Sequence, residues 1–232
     1  MKNKYKGIIY YSKNIKDNDL FLKILSSNDE INSVIVYGGN SSKKKNIYQK
    51  GYFIDYTMTQ KNENAPPYVT AEISQPYISN LYHDKYKLNA LLSILSLINV
   101  SIIEGQNLKG FYNSIDHLIH NMIRENHWIV FYCKWLLNLL RIIGYQIDYK
   151  TNNKKNFYDF YNKSFSIKPN NNTIEFPHYF LDSKEKITFN SINSIFQIFE
   201  NVFLKNHLDL INLKMPKDFI IFKKIILENL KK

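Results

Sequence analysis

Cysteine is nearly absent: Cys133 stands alone in 232 residues. That excludes an intrachain disulfide and a zinc site built on several thiolates. Arginine is almost as scarce, with Arg124 and Arg141 the only two. Long apolar runs are missing as well. Leu88–Ile103 is broken by Asn89, Ser93, Ser96 and Asn99, and Trp128–Ile143 by Lys134, Asn138 and Arg141. Neither supplies the about 20 uninterrupted apolar residues that a bilayer span needs. The basic N-terminus has no continuous apolar stretch behind it, which argues against a signal peptide. The expectation is a cytoplasmic chain that does not enter a membrane. Nucleotide-binding glycine loops are lacking too, since Gly38-Gly39-Asn40-Ser41-Ser42-Lys43 does not have P-loop spacing. No Ser-His-Asp order with a recognisable local signature occurs, and there is no internal repeat.

What is present is a globular composition, 44% hydrophobic and 22% charged, in a chain long enough for one or two domains and a real core. The net charge is +11 and the isoelectric point about 9.4, which points to an anionic partner. Lys, Asn, Ile, Tyr and Phe are all abundant, and their codons are AT-rich, so the total charge records nucleotide composition as well as any ligand. Clustering is the sharper signal. The first sixteen residues hold Lys2, Lys4, Lys6, Lys13 and Lys16 with no acid. The second acid-free cluster is Lys43, Lys44, Lys45 and Lys50.

That second cluster lies in the stretch around which the chain is organised, residues 31–56. Ile31, Val34 and Val36 form a β-branched run that suits a strand. Gly38-Gly39 ends it. A loop with Ser41, Ser42 and the lysines follows, and Gly51 reopens an extended segment with Tyr52, Ile54, Tyr56 and Met58 on one alternating face. Ammonium and hydroxyl donors held between two strands suit phosphate. Tyr37, Tyr48, Tyr52 and Tyr56 surround the loop, and aromatics interleaved with lysines can stack bases. The plainer reading is a solvated loop that keeps a sheet edge from pairing, with tyrosines that are there because the chain has 18 of them.

The remaining pattern extends this picture. Short strands are expected at 7–12, 20–26, 31–37, 51–60 and 68–74. Five strands in about 75 residues, joined by turns, fit a small closed barrel, either an OB-fold or an SH3-like barrel. Helical period then takes over near Asp84. Apolar residues recur at three- and four-residue spacing over 88–102, 111–122 and 128–143, where Gly144 is a natural stop. Residues 150–176 are rich in Asn and Lys, with a small hairpin expected over 157–161 and 164–168 and a mobile loop at Asn170-Asn171-Asn172. A further helix is expected near 193–207, and Pro216 is placed to start a last one over 217–230. Asp116, His117 and His120 form the one cluster a metal hydrolase could use, but two histidines on a helix are usually surface or packing residues. Cys133 is expected to be buried rather than reactive.

Four segments together resemble the bacterial RecO family of DNA repair proteins. The first is the strand, Gly38-Gly39-Asn40-Ser41, the basic run, and then Tyr48-Gln49-Lys50-Gly51. Asn40 stands where a basic residue is usual, Tyr48 where Leu is, and Lys50 where Pro is. The second is Cys133–Tyr149, in which Lys134, Trp135, Leu137, Leu139, Leu140, Gly144 and Tyr145 fit the family pattern and Leu136 replaces its usual Glu. The third is Glu175–Leu181, and the fourth Lys214–Phe219.

This resemblance implies an α+β fold: an N-terminal five-stranded OB-fold barrel, residues 1–78, and a helical domain, residues 79–232, with 150–176 as a hairpin or loop insertion. Many relatives carry four cysteines over 145–180 and bind structural zinc; this chain has none there, so no metal or cofactor is expected. The implied activity is not enzymatic. It is that of a recombination mediator that binds single- and double-stranded DNA, anneals complementary strands, and with RecR helps load RecA onto strands coated by single-strand-binding protein. The expected DNA-binding residues are Lys13, Lys16, Tyr37, Gly39, Ser41, Lys43, Lys44, Lys45, Tyr48 and Lys50. The family's helical domain takes up the acidic C-terminal tail of single-strand-binding protein, which by the motif assigns Lys134 to that contact, with Phe131 and Trp135 beside it as the expected apolar part. The setting would be the bacterial cytoplasm, at the nucleoid during repair. The alternatives are a general OB-fold binder of RNA or single strands, and the metal hydrolase.

Overall fold

The computed structural model describes residues 4–16, 18–62, 65–151, 156–182 and 186–231. The chain forms two compact units, Met1–Ile123 and Arg124–Lys232.

The first unit is built on a closed five-stranded barrel. Its strands are β1 (Lys4–Lys16), β2 (Asp19–Ser26), β3 (Ile31–Val36), β4 (Phe53–Thr59) and β5 (Tyr68–Gln75), in the order β1-β2-β3-β5-β4 with β4 closing on β1. The β3–β5 pair is parallel, joined at Ile35 and Tyr68, and the other pairs are antiparallel. This is the five-stranded barrel expected of an OB-fold. The period-two pattern of β2 sends Leu20, Leu22 and Ile24 inward, where they meet Ile9, Val34, Val36, Ile54 and Val69. A polar pair sits in this core: the Asn32 Nδ2 donates to the Tyr56 hydroxyl at 2.8 Å. Burial raises the pKa of that phenol, so it stays a neutral acceptor.

Three helices complete the unit: α1 (Tyr77–Leu81), α2 (Lys85–Ser101) and α3 (Phe111–Arg124). Asp84 caps α2 by accepting from the amides of Tyr86 and Lys87 at 2.9 and 3.1 Å. Helix α2 lies along β1. Gly51, at φ +86°, makes that approach possible, because a side-chain carbon there would meet Leu91 and Ile78 at 3.2 Å. The start of α3 is capped from a distance. Asp29, in the β2–β3 turn at φ +64°, accepts from the amides of Gly110 and Tyr112 at 2.6 and 2.8 Å. A turn of the barrel thereby fixes where a helix begins.

The second unit contains α4 (Trp128–Ile142), α6 (Phe189–Phe203) and α7 (Lys217–Asn229), with the short α5 (His178–Leu181). Its core is aromatic. Tyr132 lies edge-on to Phe222 at 4.7 Å, and Phe196 meets both Phe219 and Phe222. Both tryptophans of the chain, Trp128 and Trp135, are buried here. Cys133 is fully buried, and burial raises its pKa, which keeps the thiol protonated and unreactive. Gly144 follows α4 at φ +91° as expected.

This unit is not purely helical. Strands β6 (Phe157–Asp159), β7 (Ser164–Ser166) and β8 (Thr173–Glu175) form a three-stranded sheet in the order β7-β6-β8. The hairpin was expected, the third strand was not. Nor is the asparagine run a bare loop. Asp159, buried in β6, accepts from the amides of Tyr161 and Asn162, from the Asn162 side chain, and from the Asn170 Nδ2 at 2.9 Å. The final turn of α6 also widens into a π-helical turn, Leu204–Leu208, beyond which a 3-10 turn leads to Pro216. Among the described residues no helix is long and apolar enough to cross a membrane.

Two outcomes follow. Asp29→Ala removes both acceptors at the start of α3 and should cost about 1–2 kcal/mol of stability in urea unfolding followed by circular dichroism; Asp29→Asn, which keeps one acceptor, should cost less. Asp159 is held below the ordinary aspartate value of 3.8, first by the Asn162 amide and then by the Asn170 side chain. A depressed folded pKa means that its contribution is fully present above the unfolded value and is lost as pH falls through the folded one. Tryptophan fluorescence, which reports the second unit alone, should therefore show an acid transition below about pH 4 that Asp159→Asn flattens.

Candidate nucleic-acid interface and partner cleft

The basic segment between β3 and β4 is a compact projection made of successive turns. The Lys44 and Lys45 amides donate to the Ser41 carbonyl at 3.0 and 2.9 Å, and the Ile47 amide to that of Lys44 at 2.8 Å. It is tied to the β1–β2 turn, where the Gly38 amide donates to the Asp19 Oδ1 at 2.7 Å and the Asn40 amide to the Asn18 carbonyl at 2.7 Å. The Gly51 amide closes the base on the Ile9 carbonyl at 2.7 Å. The backbone amides of Gly38 to Ser41, Lys44, Lys45 and Ile47 are thus already used within the protein. A grip on phosphate by those amides is thereby closed, and the exposed lysine side chains are the donors that remain around them.

The expected site residues divide accordingly. Lys43, Lys44, Lys45 and Lys50 are exposed, as are Lys13 and Lys16 at the tip of the β1–β2 hairpin. Ser41 is half-buried beneath the lysines. Tyr37 is 50% exposed and lies against Tyr68, ring centroids 5.8 Å apart. Two assignments need correcting. Tyr48 is buried in the barrel core, its hydroxyl accepting from the Ala71 amide at 3.1 Å, so its ring anchors the loop and is closed to a base. Gly39 is buried too: a side-chain carbon there would come within 3.0 Å of Leu20 and Val36, and its amide is taken by the Val36 carbonyl. Its role is packing. Tyr56 belongs to the core, and Tyr52 packs against it.

The N-terminal lysines are not a free arm, because residues 4–16 are β1 itself. Lys4 pairs with Glu72 at 3.9 Å, and Lys6 stands opposite Asp55 in the β1–β4 register. These acids, 68 and 49 residues away in the chain from Lys4 and Lys6, could not be seen beside the lysines in the sequence. Lys16 stands opposite Asp19 in the β1–β2 register, so among the described residues the charge with no acid paired to it sits at Lys13 and the loop; Lys2 lies outside the described residues.

In the second unit a cleft of about 610 Å³ opens beside α4. Lys134, Leu137, Asn138 and Arg141 line it from one helix face, with Tyr149 and Leu181 opposite. Asn138 Oδ1 accepts from Arg141 Nε at 3.1 Å and from its Nη2 at 2.8 Å, which aims the guanidinium. Lys134 also lies 5.7 Å from the Phe131 ring. Trp135, by contrast, is 3% exposed and points into the core, so it cannot share this contact with Lys134. Arg141 was missed by the motif, although its seven-residue spacing from Lys134 puts both cations on one face. Asp148 and Asp182 stand at the rim and leave the cleft mixed in charge.

Among the described residues no three His, Cys, Asp or Glu side chains converge on a metal-sized site. His117 is exposed, and His120 packs edge-on to Tyr77 at 6.4 Å. Asp116, His117 and His120 are therefore not brought together as such a site.

No model of a known protein family matches the chain. Curated proteins do. The DNA repair protein RecO of Hyphomonas neptunium is 27% identical over 144 residues, 61% of this chain and 59% of that protein. The protein of the same name from Rickettsia canadensis is 27% identical over 142 residues, 61% and 58% of the two chains. That of Rickettsia akari is 28% identical over 142 residues, 61% and 59%. The chain thus matches about three-fifths of the length of these relatives.

If each of the three loop lysines contacts one phosphate, changing Lys43, Lys44 and Lys45 together to Ala should shallow the dependence of log affinity on log salt by about 2–3 units of slope. Fluorescence anisotropy at several salt concentrations checks this. An unchanged slope in a folded variant would remove the loop from the interface.

Proposed function

We propose that this chain, which belongs to the RecO family, is a recombination mediator of DNA repair. The carrying observation is the unopposed lysine cluster on the rim of a closed five-stranded barrel in a chain similar to DNA repair proteins. On this reading the barrel binds single and double strands through phosphate. Lysines that neutralise both complementary strands release counterions and lower the repulsion between them, which is the physical route to annealing. Phosphate contacts carry no sequence information, so binding is nearly sequence-independent. The function requires no covalent chemistry and no cofactor, and the chain works in the bacterial cytoplasm. RecR is the further partner in loading RecA.

The cleft beside α4 is the proposed seat for the acidic tail of single-strand-binding protein. Such a tail needs cations for its carboxylates and an apolar floor for its side chains. Lys134 and Arg141 supply the first, Leu137, Tyr149 and Leu181 the second. Arg141 adds the planar fork that lysine lacks. Titration with a tail peptide tests this. Lys134→Glu should weaken the peptide by about ten-fold or more and abolish annealing of protein-coated strands, while naked strands anneal as before. Equal tail affinity in the variant would place the partner on another face.

A further inference from the structure

The open face of the barrel carries an acid as well as lysines, and that acid comes from outside the sheet. Inward residues of β2 and β3 alternate with outward ones, and cross-strand partners share a side. The registers therefore place Lys13, Phe21, Ile35 and Tyr68 in one outward row across β1, β2, β3 and β5. Tyr11, Lys23 and Ser33 form the next row. At the end of this second row the Ser33 hydroxyl donates to Glu104 Oε1. Glu104 lies 71 positions further along the chain, in the segment 102–110 that joins α2 to α3.

This segment is a strap fixed at both ends. The Ile102 amide donates to the Ile98 carbonyl at 3.3 Å, and the Gly110 amide to Asp29. Leu108 is buried near the second end. The turn between is not packed: Ile103 is 74% exposed, and Glu104 and Gly105 are exposed as well. The turn is closed on itself by the Gln106 Oε1, which accepts from the Ile103 amide at 3.3 Å. Glu104 is what bonds it to the sheet. The Glu104 charge is also felt on β1, where burial first and Glu104 second raise the pKa of the Tyr10 phenol. A carboxylate bonded to β3 and felt on β1 lies over β2, where Lys23 stands opposite Ser33. Yet Lys23 is turned to the Tyr11 ring, 6.0 Å from its centroid, and among the described residues it forms no ion pair. A hydroxyl donor with an ammonium group one strand away suits a phosphate oxygen. Here an exposed anion of the chain's own already holds the hydroxyl.

We propose that Glu104 is a self-inhibitory anion: its carboxylate occupies the Ser33 hydroxyl that a backbone phosphate takes when a strand binds, and it repels that phosphate from Lys23. This rests on the nucleic-acid reading above and adds a restraint to it. Displacing the Glu104 side chain breaks one hydrogen bond to the sheet and disturbs no apolar packing, so the restraint weakens binding without preventing it. Because it acts between exposed charges, it fades as salt rises.

The test measures the affinity of the full chain for an oligo(dT) strand over a range of salt concentrations. Glu104→Gln keeps the size of the side chain and an acceptor for Ser33 but removes the charge. It should tighten binding about three- to ten-fold at low salt. By releasing Lys23 to a phosphate, it should also steepen the slope of log affinity against log salt by about 0.7 units. Adding Lys23→Gln should abolish the extra slope. Glu30→Gln, which removes another exposed acid of the same unit, controls for net charge and should leave the slope unchanged. The proposal is overturned if Glu104→Gln binds like the wild type at every salt concentration, or if Glu30→Gln reproduces its gain. A wild type that binds no strand at any salt concentration overturns the nucleic-acid reading itself, and the restraint with it.

Discussion

The first unit depends on one short contact: the parallel junction of β3 with β5, where Ile35 pairs with Tyr68 and the Ile35 amide donates to the Pro67 carbonyl at 2.9 Å. It closes a sheet that would otherwise end in two open edges. It also decides what shares a surface. With β5 inserted between β3 and β4, the segment from Tyr37 to Tyr52 has to arch over the barrel to reach β4. That arch carries the lysines, and its base is stitched to the β1–β2 turn through Gly38 and Asn40. The same junction brings Tyr68 next to Tyr37, thirty-one positions earlier in the chain.

Local chemistry made the strands and helices legible. Alternation in Leu20, Leu22 and Ile24, the helical spacing of Leu91, Leu95 and Ile98, and the stop at Gly144 each act over a few residues. The exposure of Lys43–Lys45 was legible for the same reason, as a charged turn stays solvated. What could not be read depends on long-range pairing. Tyr48 looks from sequence like any tyrosine in a basic loop, yet it reaches the Ala71 amide inside the barrel. The acids opposite Lys4 and Lys6 arrive on β4 and β5. Phe21 and Tyr68 belong to one row only once the register is known. Trp135 and Lys134 are neighbours in sequence and face opposite ways on a helix, which adjacency in a motif conceals.

The second unit solves a different problem. The region where the resemblance leads one to look for four cysteines contains a small sheet knit by Asp159 and Asn170 instead. A buried carboxylate with four donors is a satisfied polar centre, and it ties β6 to the turn at Asn162 and to Asn170. Around it lie Tyr158, Phe165, Phe176 and His178 in mutual ring contact. The asparagines that give this stretch its low-complexity character are in part the donors of that centre.

The central claim is that DNA is held on the open face and rim of the barrel. It is tested most directly by photo-crosslinking a single strand that carries a photoreactive thymine analogue at every position, followed by peptide mapping. The account predicts crosslinks concentrated in residues 4–50 and 65–75, with the Lys43–Lys45 segment among the modified peptides. Crosslinks confined to Arg124–Lys232 would contradict it.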